Sequence, residues 1–170
     1  MKAETTRRLE RLIEQGKQRG SVLPAEVYAV ARHEPDAIEE ILTRLESAQI
    51  DVAPVPPPEL PASSDDPLRV YVKAMMEDAQ VPSQDEQANL EAAIRGGGPD
   101  VENARCRLVQ SSLLTVCAIA MRYGRSGVHV LDLIQDGNTA LLEASKRFEH
   151  TRGFRFAPYA AWCVRQAVSH

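Results

Sequence analysis

The segment LDLIQDGNTALLEASKRFEHTRGFRFAPYAAW, residues 131–162, carries the strongest structural signal in this chain of 170 residues. Its first part has apolar residues at helical spacing that can face inward as one stripe: Leu133, Ile134, Leu141, Ala144 and Phe148. A basic loop follows, and Pro158 suits the first turn of a further helix. The segment therefore predicts two helices joined by a basic loop.

Aromatic residues are concentrated in the same segment. The chain is only 5% aromatic, yet five aromatic residues fall within residues 148–162: Phe148, Phe154, Phe156, Tyr159 and Trp162. Four arginines accompany them: Arg147, Arg152, Arg155 and Arg165. Planar rings can stack on unpaired bases and guanidinium groups can neutralise phosphates, so the pattern predicts binding of unpaired nucleic acid. Packing of the same rings in a core is the alternative, and the pattern alone leaves it open.

The last helix places four of its residues on one face, because they are spaced at i, i+3, i+7 and i+10: Tyr159, Trp162, Gln166 and Ser169. If this face is exposed, the rings can stack on bases and the Gln166 amide can bond to a base edge, since Gln pairs well with adenine. Arg155 and Arg165 would then contact phosphates. The alternative is that Tyr159 and Trp162 pack inward.

The preceding helix has a second face that mixes leucines with acidic and amide groups. Its members are Leu131, Asp132, Gln135, Asp136, Asn138 and Leu142. A solvated face seldom carries two leucines beside two aspartates, so this face predicts docking of a basic partner helix. Gly137 costs about 1 kcal/mol relative to Ala in a helix interior, which indicates close approach of another backbone or simple tolerance.

The rest of the chain predicts an all-α fold in three parts, because no segment alternates as a strand does. Residues 1–53 form a small module of three helices, the first stopped by Gly16 and Gly20 and the others opened near Pro24 and Pro35. Residues 54–65 are a Pro-rich linker, expected to be an extended tether. Residues 66–170 form a larger helical domain, with helices expected at about 67–76, 84–95, 101–123 and 131–148 before the last one.

Charge and composition narrow the class of function. From residue 104 onward nine Lys/Arg face four Asp/Glu, whereas residues 1–103 hold eleven against twenty, which indicates a basic C-terminal binding face. Cys106, Cys117 and Cys163 show no zinc or disulfide spacing, as expected of thiols in a reducing cytoplasm. Without an eighteen-residue apolar run or a signal peptide, no membrane segment is expected. No catalytic motif is present, so we expect no enzyme activity, no cofactor and no metal.

Residues 104–170 resemble the polymerase-binding and promoter-melting domain of bacterial primary sigma factors of the sigma-70 family. The likeness rests on DLIQDGN (132–138), RGFRF (152–156), YAAW (159–162) and VRQA (164–167), a specific series in this order. Residues 66–98 are similar to the helical segment that precedes this domain in the family. Residues 5–53 resemble, more weakly, its N-terminal autoinhibitory domain.

The resemblance implies a sigma factor that binds core RNA polymerase, then recognises and melts the minus-ten promoter element. Leu131, Asp132, Gln135, Asp136, Asn138 and Leu142 match the face that docks on the coiled coil of the polymerase β′ subunit. Phe148, Glu149, Arg152, Tyr159 and Gln166 match the pocket for the flipped adenine of the non-template strand. Trp162 matches the wedge at the upstream fork, and Phe154 and Phe156 match residues that line the single strand.

Several positions depart from the family. Cys163 stands where a second tryptophan is usual, Pro158 and Ala157 where Thr and Ser are common, and Ser112 where an Asn helps hold a second flipped base. The family also continues into two further domains, so we expect either an N-terminal fragment or a naturally shortened protein. The substitutions at Cys163, Pro158 and Ser112 favour an alternative, a truncated sigma-like decoy that occupies the polymerase without opening promoters. An unrelated helical domain, or an enzyme using the Cys163 thiol, is the remaining alternative.

Overall fold

The computed structural model describes residues 3–32, 34–60, 62–63, 65–78, 81–124, 128–148 and 153–169. Their helices are α1 (Ala3–Arg19), α2 (Pro24–Ala31), α3 (Pro35–Ser47), α4 (Pro67–Asp78), α5 (Gln84–Gly96), α6 (Val101–Tyr123), α7 (Val130–Phe148) and α8 (Phe156–Val168). Two strands of two residues each, β1 (Ser21–Val22) and β2 (Asp51–Val52), accompany them. The predicted all-α class is confirmed.

The N-terminal module, residues 3–53, consists of α1, α2 and α3 together with the strand pair, in which β1 follows α1 and β2 follows α3. β1 and β2 run parallel, with Val22 opposite Val52, and two residues are too few for the alternation that marks a strand in sequence. Gly16 does not stop α1 as predicted. A Cβ atom there would lie 2.7 Å from Cγ2 of Ile50 and 2.9 Å from Cγ1 of Val22, so the glycine lets the strand pair pack against the helix. The helix ends before Gly20, whose φ of 81° a side chain would disfavour.

The described residues of the Pro-rich segment form no helix or strand, and part of the segment lies against the protein. Pro58 is buried, and Val55 and Leu60 pack against the hydrophobic core. Apolar side chains spaced along the segment account for this contact, since their burial is favourable. The segment expected to be a free tether is therefore held against the protein at these three residues, while Pro56, Pro57 and Glu59 between them are exposed.

The C-terminal domain is built around α6, α7 and α8, which pack against one another, with α5 and α4 lying on α6. Gly137 of α7 sits where the three helices meet. A Cβ atom at this position would lie 2.6 Å from Cγ1 of Val116 and 3.3 Å from Cγ1 of Val164. Close approach, rather than tolerance, explains this glycine.

Two details of these helices differ from expectation. α8 begins at Phe156 instead of at Pro158, and Pro158 fits its first turn because a proline there removes no intrahelical hydrogen bond. By length and composition alone, α6 is long and apolar enough to cross a membrane, whereas the sequence analysis expected no such segment. Burial of Leu108, Val116 and Ile119 inside the domain accounts for that apolar character.

Candidate functional site

The aromatic residues of the predicted DNA-binding segment form one connected cluster. The Phe148 ring meets the Phe154 ring at 6.0 Å and the Phe156 ring at 5.2 Å between centroids, both edge-to-face. The Tyr159 ring lies 5.4 Å from that of Phe154. All four side chains are buried, and burial raises the pKa of Tyr159. In this conformation the rings pack on each other, the alternative that the sequence left open, and a base could reach Tyr159 only after a rearrangement.

Two further members of the predicted base-reading face, Trp162 and Gln166, contact the N-terminal module. Nε1 of Trp162 donates to the backbone oxygen of Arg32 at 3.3 Å, and Nε2 of Gln166 donates to the same oxygen at 3.1 Å. Trp162 is only 4% exposed. Arg32 itself has φ 51° and ψ −125°, a backbone conformation that costs a non-glycine residue of order 1 kcal/mol. The end of α2 thus occupies the Gln166 amide, which the sequence assigned to a base edge, and bonds to the Trp162 indole, which the sequence assigned to stacking.

Arg165 also turns toward the module instead of a phosphate. Its guanidinium lies 5.0 Å from the ring centroid of Tyr28, and its Nε donates to the hydroxyl of Tyr123 at 2.8 Å. Burial raises the pKa of Tyr28, whose hydroxyl makes no hydrogen bond with the described part of the chain. α8 is therefore fastened to the module by two hydrogen bonds and a cation–π contact.

The remaining predicted DNA-contacting residues that the structure describes are Arg155 and Ser169. Arg155 is half-buried, and Ser169 is exposed, its hydroxyl donating to the backbone oxygen of Gln166 at 3.2 Å. Glu149 and Arg152 lie outside the described residues.

The predicted docking face of α7 lies open to solvent along most of its length. Asp132, Gln135, Asp136 and Leu142 are exposed, and Leu142 has 51% of its surface accessible. Leu131 and Asn138 are half-buried, and Oδ1 of Asn138 is buried without a hydrogen-bond partner among the described residues. The face combines carboxylates with a protruding leucine, which is the chemistry expected of a surface that anchors a basic helix.

Of the positions that depart from the family, Ser112 is buried, Pro158 and Cys163 are half-buried, and Ala157 is exposed. Ser112 is buried and its hydroxyl donates to the backbone oxygen of Leu108 at 2.9 Å. Cys163 is half-buried, and burial raises the pKa of its thiol to about 11. Neither side chain offers a free polar group to a base in this conformation.

Two residues near the cluster carry contacts that sequence reasoning missed. Glu91 and Arg95 of α5 reach the backbone of Phe156 and of Phe154 respectively. Their i, i+4 spacing beside Leu90 and Ile94 was the available signal, but it equally fits a solvated ion pair. Only the packing of α5 near the start of α8 distinguishes the two.

A cavity of about 450 Å³ lies between the module and the domain, beside the contacts that join them. Tyr28 and Glu46 of the module line one side, and Thr115, Arg155 and Ala161 line the other. Because its walls come from both parts, the cavity exists only while they are in contact. Within the described ranges no group of three His, Cys, Asp or Glu side chains is placed to hold a metal ion.

Fold and site together define an all-α protein with an exposed acidic and leucine-bearing helix face next to an arginine-flanked aromatic cluster. Comparison with known proteins narrows that class. A family model described as Sigma-70 factor, region 1.1 matches residues 3–91, and one described as Sigma-70 region 2 matches residues 108–170. The chain belongs to the sigma-70 family of sigma factors.

Individual relatives agree with this assignment. RNA polymerase sigma factor SigA of Clostridium acetobutylicum is 34% identical over 185 residues, covering 99% of this chain and 47% of the relative. SigA of Lactococcus lactis is 43% identical over 105 residues, covering 62% and 27%. The principal sigma factor HrdD of Streptomyces griseus is 44% identical over 80 residues, covering 47% and 23%. The chain thus spans between about a quarter and a half of the length of these curated relatives.

Proposed function

We propose that this chain acts in transcription initiation as a sigma-type subunit that binds core RNA polymerase and recognises the minus-ten promoter element as unpaired DNA. The exposed face of α7 is the observation that carries the proposal. A helix that leaves two aspartates and Leu142 in solvent, while Leu133, Ile134, Leu141 and Phe148 are buried on its other side, has the chemistry to dock a basic partner. We propose that this face contacts the coiled coil of the polymerase β′ subunit.

The DNA contact is proposed for α8 and the end of α7, on the non-template strand. Unpairing a base costs a few kcal/mol, and stacking on an aromatic ring returns about 1–3 kcal/mol per base. The cluster of Phe148, Phe154, Phe156 and Tyr159, flanked by arginines, supports this assignment. Glu149 and Arg152 remain predicted parts of the same adenine pocket.

We assign the N-terminal module, residues 1–53, to the control of this DNA site. The hydrogen bonds from Trp162 and Gln166 to Arg32 support a closed state in which the base-reading face is covered. The same contacts leave the α7 face free. Polymerase binding would therefore precede DNA binding, and release of the module would uncover α8.

The polymerase contact is tested with the double substitution Asp132→Ala and Gln135→Ala. Loss of a carboxylate and an amide from the interface should weaken binding to core polymerase by about tenfold or more. The matched control is Glu102→Ala with Gln110→Ala, which removes an exposed acid and amide from α6. Equal affinity for both double variants would refute the assignment of the α7 face.

The DNA contact is tested in the polymerase complex with Tyr159→Ala and two single strands, one TATAAT-type and one scrambled. The variant should lose more affinity for the TATAAT-type strand, because a captured base is read as well as stacked. An equal loss on both strands would make Tyr159 a nonspecific stacking residue.

The decoy is a second candidate, favoured by the covered aromatic cluster beside an open docking face. Adding this chain to polymerase that carries a full-length sigma factor separates the two functions. A decoy only inhibits transcription. A working subunit, once bound to core polymerase, retains a TATAAT-type strand over a scrambled one.

A further inference from the structure

Glu91 is a buried acidic residue that the proposed function leaves unused. It is 5% exposed, and its Oε1 accepts a hydrogen bond from the backbone N–H of Phe156 at 2.8 Å. Phe156 is the first residue of α8, and its N-cap residue, Arg155, makes no side-chain cap. A carboxylate from α5 therefore accepts from the first N–H of α8, one of the groups at a helix start that have no intrahelical partner, and it places a negative charge at the N-terminus of the helix.

Arg95, one turn further along α5, holds the neighbouring part of the cluster. Its Nη2 donates to the backbone oxygen of Phe154 at 2.5 Å, and its guanidinium lies 5.0 Å from the ring centroid of Phe148. The same Nη2 is 3.8 Å from Oε2 of Glu91. The guanidinium thus contacts both the residue that ends α7 and the residue two positions before α8.

Together the two side chains tie the start of α8 and three aromatic residues to α5. Tyr159 lies one turn into α8 and packs on Phe154, so its position follows from where that helix begins. Burial raises the pKa of Glu91, with the Phe156 N–H and Arg95 opposing this rise. A buried acid is a costly way to fill space compared with an apolar residue, so its directed hydrogen bond is the feature that distinguishes this site.

We propose that Glu91 and Arg95 are positioning residues for base capture: from α5 they set the location and orientation of the aromatic cluster at the start of α8. This inference rests on the proposed function of that cluster. It adds a specificity role for a helix outside the segment that would touch the bases. Neither residue contacts DNA; both act through Phe154, Phe156 and, one turn on, Tyr159.

The test compares Glu91→Ala and Arg95→Ala with two conservative variants, Glu91→Gln and Arg95→Lys. Glu91→Gln keeps an acceptor oxygen of the same reach and loses only the charge. The matched control is Glu77→Gln, which removes an exposed acid of α4 that pairs with Lys73 at 3.7 Å. Three quantities are measured: affinity for core polymerase, affinity of the complex for the TATAAT-type single strand, and, in the free chain, amide hydrogen exchange of the four residues in 156–160 other than Pro158.

The Ala variants should lower strand affinity by about tenfold, the usual effect of losing a hydrogen bond to a charged group, while polymerase affinity stays within about twofold. The conservative variants should recover part of the loss, and the control should match the wild type. Amides of residues 156–160 should exchange faster in Glu91→Ala, and those of α1 should not change.

Unchanged strand affinity in both Ala variants would overturn the proposal. So would parallel losses of strand and polymerase affinity that follow the drop in thermal stability, since that pattern indicates a purely structural role. If the wild-type chain binds neither polymerase nor strand, the proposed function fails. The exchange experiment then decides the positioning role by itself, because unchanged protection of residues 156–160 in Glu91→Ala would rule it out.

Discussion

At the scale of single residues, Gly137 determines how closely α6, α7 and α8 approach. Gly137→Ala gains about 1 kcal/mol of helix propensity, but its Cβ would meet the buried, β-branched Val116, which cannot turn aside easily. Overpacking costs about 1–3 kcal/mol, so we expect net destabilisation of about 1 kcal/mol by urea unfolding. Gly96→Ala is the control, since nothing lies within 4 Å of a Cβ there. If Gly137→Ala matched the control, the helices would have room that the structure does not show.

Cys163 is the residue that tests the enzyme alternative. Its thiol, with a pKa raised to about 11 by burial, carries little thiolate near neutral pH. Cys106 is exposed, so a thiol reagent should modify it at least about tenfold faster than Cys163 in the native chain. In the Cys106→Ser variant only the slower modification of Cys117 and Cys163 remains to be measured. A native Cys163 that reacted as fast as Cys106 would reopen nucleophilic chemistry at this position.

At the scale of elements, α5 holds its position through a capping box at its N-terminus. The Ser83 hydroxyl accepts from the backbone N–H of Glu86 at 3.2 Å, and Oε2 of Glu86 accepts from the N–H of Ser83 at 2.9 Å. Ser83→Ala should cost about 1 kcal/mol of stability in thermal unfolding. Gln84→Ala, next in the chain and exposed, provides the control. A cost no larger than that of the control would mean that α5 is held by its packing alone.

The same box gives α5 a defined pH dependence. The hydrogen bond from the Ser83 backbone lowers the pKa of Glu86 below its ordinary 4.5. The stabilisation is therefore present above that ordinary value and is lost as pH falls through the lowered one. The stability advantage of the wild type over Glu86→Gln should be largest near neutral pH and disappear in acid, as urea unfolding across pH would show. An advantage that grew on acidification would contradict this.

At the scale of the whole molecule, the contact between the N-terminal module and α8 defines a closed state that Trp162, the single tryptophan, reports. Gln166→Ala removes one of two donors to the Arg32 carbonyl, which is worth about 1 kcal/mol, and should increase acrylamide quenching of Trp162. Arg32→Gly relieves the positive φ of 51° and should decrease that quenching. Both shifts are read from the free chain. Equal quenching in all three proteins would mean that Arg32 does not hold the closed state.

Much of the architecture follows from local sequence. The bounds of α6 agree with the predicted 101–123, because a long apolar stripe, Gly124 and the preceding Gly–Pro segment act locally. The roles of residues that contact side chains far away in the sequence could not be predicted from local patterns. Gly16 was predicted to stop a helix, yet it accommodates Ile50, which lies more than thirty positions later in the chain. The Pro-rich segment was predicted to be a tether from its proline content. That content does not show which of its side chains pack against the rest of the protein.

The candidate site divides in the same way. Sequence by itself determined the all-α class, the family and the composition of the two faces, since helical spacing and motif order are local properties. Only the tertiary structure decided that the aromatic cluster is buried, that Trp162 and Gln166 bond to Arg32, and that Glu91 caps α8. Each of these three hydrogen bonds joins residues at least 65 positions apart, and their free energy depends on packing that no local pattern encodes.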